Sequence, residues 1–333
     1  MKRILIVNVN WRGDVLFSTP FIQAIRERYP DSFIATLVVP RCVSILKNNP
    51  RLDEVIIFDE DGEHRGFWGK LSLIRLLRSK HFDTAFFLHR SFTRTLLCWL
   101  GGIPERIGYY TKKRAMLLTK SITPPEGPLH RIEYFLNIAR DIGIKTENKD
   151  YEFFPSPEDK DYINALFAKN ALEKRDFLVV INPGGNWNLK RWPKENFARL
   201  AGRLIKDYQA KVIITGAAKD ISLAEGIAGL MQERPLILCG KTTLGQLAAL
   251  MARVGLLISN DSGPMHIALS QKAKVVCLFG PTSPQITGPY GKGDYTVIQK
   301  DVGCETPCYQ LDCKDNRCMK AISVDDVLQA ING

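Results

Sequence analysis

The sequence predicts an α/β protein built from two doubly wound parallel domains. Three observations predict it. Short apolar runs alternate with helical stretches along the whole chain. That alternation runs through twice, restarting after a polar segment at residues 145–157 that closes on Pro155 and Pro157. The length, 333 residues, suits two domains of ordinary size. The expected domains are residues 1–155 and 156–333.

In the first half, strands are expected at residues 3–9, 34–39, 55–58, 84–88 and 106–109. Phe17, Phe21, Ile22 and Ile25 recur at helical spacing, so a helix is expected over 15–29. Further helices are expected at 43–47, 68–78 and from Ile132 to Gly143. In the second half, a helix to about residue 169 precedes strands at 177–181, 211–215, 236–238, 256–258 and 275–279. Helices are expected at 193–207, 222–231 and 244–252, and another starts at Pro264. A closing helix at 324–331 can return to pack on the first domain.

The chain is 45% hydrophobic and 24% charged, the balance of a soluble globular protein. No apolar run approaches the length of a membrane span. Met1-Lys2-Arg3 precedes too short an apolar run for an export signal, and Asn8 and Asn10 break that run. A cytoplasmic location is therefore expected. Net charge is +11, distributed as 24 Lys/Arg against 16 Asp/Glu over residues 1–150 and 22 against 19 beyond. The first half is suited to an anionic partner: nucleic acid, an acidic sugar or an anionic membrane surface. Cys42, Cys98, Cys239 and Cys277 sit singly in apolar surroundings and read as buried thiols. Cys304, Cys308, Cys313 and Cys318 are spaced by four, five and five, unlike a zinc ribbon; reduced structural thiols are expected, with a metal site or a redox-labile pair as the alternatives.

In doubly wound sheets ligands collect beyond the carboxyl ends of the strands. The informative turns are therefore residues 10–14, 182–190, 216–220, 259–266 and 280–283. None carries a phosphate-loop or dinucleotide glycine signature, which disfavours an NAD enzyme. The turn Ser259-Asn260-Asp261-Ser262-Gly263-Pro264-Met265-His266 lies between an apolar run and a helix. Asn260, Asp261 or Ser262 can cap that helix, and its start is either an ordinary capped turn or an anion site. Lys190, in the glycine-started loop 184–193, can neutralise a phosphate as a point charge or face solvent. Asp14 is either an N-cap or a general base for a hydroxyl. Asp59-Glu60-Asp61 would suit a divalent metal on a diphosphate, but in an architecture of one domain rather than two.

These turns together resemble the family 9 glycosyltransferases, the bacterial lipopolysaccharide heptosyltransferases. The carriers are Gly13-Asp14-Val15-Leu16 with Thr19-Pro20, Pro183-Gly184 with Lys190-Arg191-Trp192-Pro193, Gly240-Lys241-Thr242-Thr243-Leu244, residues 259–266, and Leu278-Phe279-Gly280-Pro281-Thr282. The group Cys304 to Cys318 is similar to the family's tail.

The resemblance covers essentially the whole chain. It implies a GT-B fold, two doubly wound Rossmann-like domains facing across a cleft. The N-terminal domain would bind the acceptor and the C-terminal domain the nucleotide sugar. It implies an inverting reaction with ADP-heptose as donor, an anionic Kdo–lipid A core as acceptor, no metal and no cofactor. Asp14 would be the catalytic base. Lys190, Asn260, Asp261, Ser262, Gly263, His266, Asn186 and Asp220 would hold the donor, with Asp220 near the nucleoside. Arg90 and Arg94 are suggested for the acceptor by charge alone. Peripheral contact with the inner face of the cytoplasmic membrane fits such an acceptor, and a nucleic-acid partner does not. Another nucleotide sugar, an epimerase on the same fold, and a non-catalytic binder of acidic glycolipid are the competing expectations.

Overall fold

Each half of the chain is organised on a strand buried along nearly its whole length. Ile4 to Val7 and Val179 to Ile181 have no solvent exposure at all. In the computed structural model, which describes residues 1–310 and 312–332, these strands lie at the centres of two separate sheets. The chain divides into two units, Met1–Phe154 and Pro155–Gly333.

The first sheet comprises β1 (Arg3–Val7), β2 (Phe33–Val38), β3 (Glu54–Ile57), β4 (Thr84–Phe87), β5 (Glu105–Tyr109) and β6 (Lys120–Ile122). Its order is β3-β2-β1-β4-β5-β6. The second comprises β7 (Leu178–Asn182), β8 (Lys211–Ile214), β9 (Leu236–Ile237), β10 (Leu256–Asn260), β11 (Lys274–Phe279) and β12 (Tyr295–Gln299). Its order, β9-β8-β7-β10-β11-β12, repeats that of the first. Every pairing in both sheets is parallel. This is the doubly wound pattern, and the order reverses between β1 and β4 and again between β7 and β10. Parallel strands need crossover helices on both faces, which explains continuous apolar runs rather than alternation.

Four elements depart from the sequence expectation. The helix expected over 15–29 is two helices, Arg12–Phe17 and Thr19–Arg28, meeting at Ser18. Pro20 has no N–H to offer the Leu16 carbonyl, and the Thr19 hydroxyl donates to that carbonyl at 2.8 Å instead. Residues Phe92–Leu100, where no element is expected, form a helix capped by Ser91, whose hydroxyl accepts from the Arg94 N–H. β6 and β12 are edge strands with little buried surface, so their sequences carry weak apolar patterns. The closing helix stands where expected, at Val324–Asn332, and packs on helix Lys194–Tyr208 and on β11 and β12. Among the described residues no helix is long and apolar enough to cross a membrane.

Candidate active site

The turns at the two switch points carry most of the residues singled out from the sequence. In the second unit, the turn after β10 and the loop after β7 are tied together by buried amides. Asn260, fully buried, donates from Nδ2 to the Pro183 carbonyl at 2.7 Å and accepts from the Trp192 N–H at 3.2 Å. Its polar atoms are thereby engaged inside the protein. Asn182, at the end of β7, donates to the Ser262 hydroxyl at 3.1 Å, and Ser262 also bonds Ser259. The capping expectation is corrected here. Ser262 is the N-cap of helix Gly263–Ser270 but makes no side-chain cap, because its hydroxyl is used by Asn182 and Ser259. Pro264 has no N–H and Met265 donates to the Ser262 carbonyl, so this helix start offers fewer free amides than a full first turn. His266 is buried in that turn, whereas Gly263 is exposed.

Lys190 and Asp261 form the charged centre. Lys190 Nζ lies 2.6 Å from Asp261 Oδ2, with side-chain exposures of 22% and 7%. Thr282, from the turn after β11, donates to the same carboxylate oxygen at 2.7 Å. Lys190 also stands 5.7 Å from the centre of the Trp187 ring. The cation is thus oriented by a buried carboxylate rather than left free in solvent.

Asp220 is buried and closes the neighbouring loop. It accepts from the Ala217 N–H at 3.0 Å and pairs with Arg191 at 3.3 Å. Gly184 packs so closely on it that a Cβ there would stand 2.7 Å from Asp220 Oδ2. Asn186 is exposed and accepts from Lys219 at 3.4 Å. Trp192 is buried, and its indole N–H donates to the Ile322 carbonyl at 2.8 Å. Asn182, Thr282 and Arg191 are not among the expected site residues. Their signal is position: Asn182 ends β7, and Arg191 and Thr282 lie in the loops after β7 and β11.

In the first unit, Asp14 sits in the third position of helix Arg12–Phe17, whose N-cap is Trp11. Its carboxylate makes no hydrogen bond among the described residues and caps nothing. Burial pushes its pKa above the ordinary carboxylate value, and the nearby Arg131 charge only partly opposes this. A half-buried, unbonded carboxylate with raised basicity is suited to take a proton.

Arg94 is placed inside the protein, 1% exposed. It donates to the Asn8 carbonyl at 2.9 Å and pairs with Glu60 at 2.7 Å. Arg90 is exposed and bonds Tyr134. Behind them Arg114, fully buried, donates to the Tyr109 and His89 carbonyls. Burial, with Arg94 adding to it, lowers the His89 pKa to about 4, so His89 is neutral at physiological pH.

Of the acidic triplet, Glu60 holds Arg94 and Asp59 accepts the Gly62 N–H at 3.0 Å. No group of three or more His, Cys, Asp or Glu among the described residues is arranged to hold a metal.

A cavity of about 840 Å³ lies beside Gly280, Pro281 and the cysteine-bearing loop, lined in part by all four late cysteines. Of the predicted donor residues, none lines it. The switch point, where buried side chains converge from three turns, is the better place for a ligand. The four late cysteines are free thiols, as are the four buried ones. Burial pushes the Cys98 thiol up to about 12 and that of Cys239 to about 11, which keeps both unreactive.

Two Rossmann-like domains, with an oriented lysine at one switch point and a basic carboxylate at the other, define a glycosyltransferase of the two-domain GT-B class. The chain belongs to glycosyltransferase family 9 (heptosyltransferase), whose model matches residues 70–317. It is 30% identical over 308 residues to lipopolysaccharide heptosyltransferase 2 of Salmonella typhimurium, covering 86% of this chain and 85% of that one. Among solved structures it is similar to a family 9 glycosyl transferase from Veillonella parvula. That match has a TM-score of 0.92 and 28% identity over 99% of this chain and 96% of the other. It is also similar to the ADP-heptose lipopolysaccharide heptosyltransferase II of Escherichia coli, with a TM-score of 0.79 and 28% identity over 100% and 98% of the two chains.

Proposed function

We propose that the protein transfers a heptose from ADP-heptose to an acidic sugar of the lipopolysaccharide inner core, with inversion and without a metal. The observation that carries this reading is the Lys190–Asp261–Thr282 cluster at the β7/β10 switch point. It is an oriented cation at the place where a doubly wound domain receives phosphates. The names of the relatives supply the sugar and the nucleotide.

In this reading the second unit binds the donor and the first the acceptor. Asp14 deprotonates the attacking hydroxyl. Lys190 and the Gly263 end of helix Gly263–Ser270 stabilise the diphosphate as it departs, where negative charge grows most. Asp261 is a positioning residue, because a carboxylate pressed against a diphosphate would repel it. Asn260, Asp220 and Asn182 hold the turns. Asn186, Ser262 and Gly263 are the accessible groups on the donor side, and Arg90 is the accessible cation on the acceptor side. The acceptor is membrane-anchored and the enzyme works from the cytoplasm.

The test is thermal denaturation with ADP and with UDP, followed by transfer assays with ADP-heptose. ADP raises the melting temperature and UDP does not. Stabilisation by UDP alone would reassign the donor, and binding without turnover would leave a glycolipid-binding protein.

A further inference from the structure

The helix Gly66–Ser79 of the first unit opens on two aromatic side chains that the protein leaves in water. Phe67 is 73% exposed and Trp68 75%, their rings in edge contact with centroids 5.3 Å apart. Exposed aromatics on a floppy loop would mean little, but this turn is fixed. His64 is buried against Phe58, its ring Nδ1 accepts the Asp59 N–H at 3.1 Å, and its backbone N–H donates to the Asp59 carbonyl at 2.8 Å. Gly69 packs so tightly that a Cβ would stand 2.5 Å from the Glu63 carbonyl. The pair is presented rigidly, so little ordering is needed on contact.

Charge identifies the partner. From Arg65 to Phe82, beyond the acidic turn that exposes Asp61 and Glu63, the chain has five Lys/Arg and no Asp or Glu. Lys80 is paired with Glu54 and Arg78 bonds the Leu100 carbonyl. Arg65, Lys70 and Arg75 are exposed and make no ion pair among the described residues. Leu73 and Leu77 bury the inner face of the helix. Trp68 and Arg75, seven residues apart, therefore share the outer face about 10 Å from each other. A rigid aromatic tip flanked by unpaired cations is the chemistry of a membrane interface. The rings enter the headgroup boundary while the cations meet anionic lipid. The tip follows the carboxyl end of β3, the edge of the sheet that also carries Asp14.

We infer that Phe67 and Trp68, with Arg65, Lys70 and Arg75, form a docking surface for an anionic lipid bilayer. This goes beyond the donor and acceptor assignment and does not depend on it, because it is measured without any sugar.

The experiment is co-sedimentation of the full chain with phosphatidylglycerol-containing vesicles and with neutral phosphatidylcholine vesicles. Wild type should partition onto the anionic vesicles and not the neutral ones. The double substitution Phe67→Ser/Trp68→Ser should weaken partitioning by about ten-fold, with melting temperature unchanged because both rings are outside the core. Arg75→Gln should weaken it by about five-fold. Undiminished sedimentation of both variants, or equal binding to neutral lipid, overturns the proposal. So does absence of binding to either vesicle; a dimer that the double substitution dissociates would then give this face to a second copy.

Discussion

Lys190→Met removes the cation that sits 2.6 Å from Asp261 and leaves a carboxylate that is only 7% exposed. Breaking a buried pair costs about 3–5 kcal/mol, and breaking an exposed one about 0–1 kcal/mol. The lysine is about one-fifth open and its partner nearly closed, so the loss should fall between these limits, at about 2–3 kcal/mol. In a domain of this size 1 kcal/mol moves the melting temperature by about 2–4 °C. The substitution should therefore lower melting by about 4–12 °C. Asp261→Asn is the informative contrast. It frees Lys190 to reach water, and Thr282 can still donate to the amide oxygen, so the stability cost should be small. For the nucleotide the two variants part further. A charge-assisted hydrogen bond contributes about 1.5–3 kcal/mol, so Lys190→Met should weaken ADP about 10- to 100-fold. Asp261→Asn loosens the hold on Lys190 but removes a like charge, so it should weaken ADP less than Lys190→Met does. Thermal denaturation and titration calorimetry with ADP read both quantities. If Lys190→Met keeps full ADP affinity, or Asp261→Asn loses as much as Lys190→Met, the assignment of cation and holder is wrong.

Asp14 should separate activity from stability. Its folded pKa lies above the unfolded value because of burial, so the ionised form costs stability at all pH above the folded pKa, and that cost disappears on acidification. Asp14→Asn should leave melting at neutral pH unchanged or raised, while turnover falls about 10²- to 10⁴-fold. Wild-type turnover should decline as pH drops through the raised pKa, and a pH–rate profile checks this. Arg94→Met strands the buried Asn8 carbonyl, so urea denaturation should show about 1–3 kcal/mol lost, with ADP affinity unaffected. Turnover should survive EDTA. Inactivation reversed by Mn²⁺ would bring Asp59 and Asp61 back as metal ligands.

The architecture was legible because parallel strands covered on both faces must be continuous apolar runs, and ten of the twelve carry such a run. β6 and β12 escaped because each buries a single residue, so KSI and YTVIQ carry no apolar run. The site was legible by turn and less so by role. Asn260 and Asp220 stand in the expected turns, yet both spend their polar atoms inside the protein, and no local pattern tells a buried amide from an exposed one. Arg94 shows the same limit. Five positions after His89 and four after Arg90, it looks like part of a basic surface. The Ser91 cap and the helical phase turn it inward onto Glu60 and the end of β1. Asp14 is the converse. Its sequence context suits an N-cap, and only the helix starting at Arg12 reveals that its carboxylate is unspent.

Trp192 links two parts of the chain that are synthesised far apart. Its backbone N–H reaches Asn260, and its indole N–H reaches the carbonyl of Ile322, 130 residues later. A growing chain that has not yet emerged past Ile322 holds a buried indole donor without its acceptor, a deficit of about 1–3 kcal/mol beside the Lys190 loop. The second unit therefore cannot close its core around Trp192 until Ile322 is in place. A chain cut just before Ile322 should be an assembly failure at that loop, not merely a shortened enzyme.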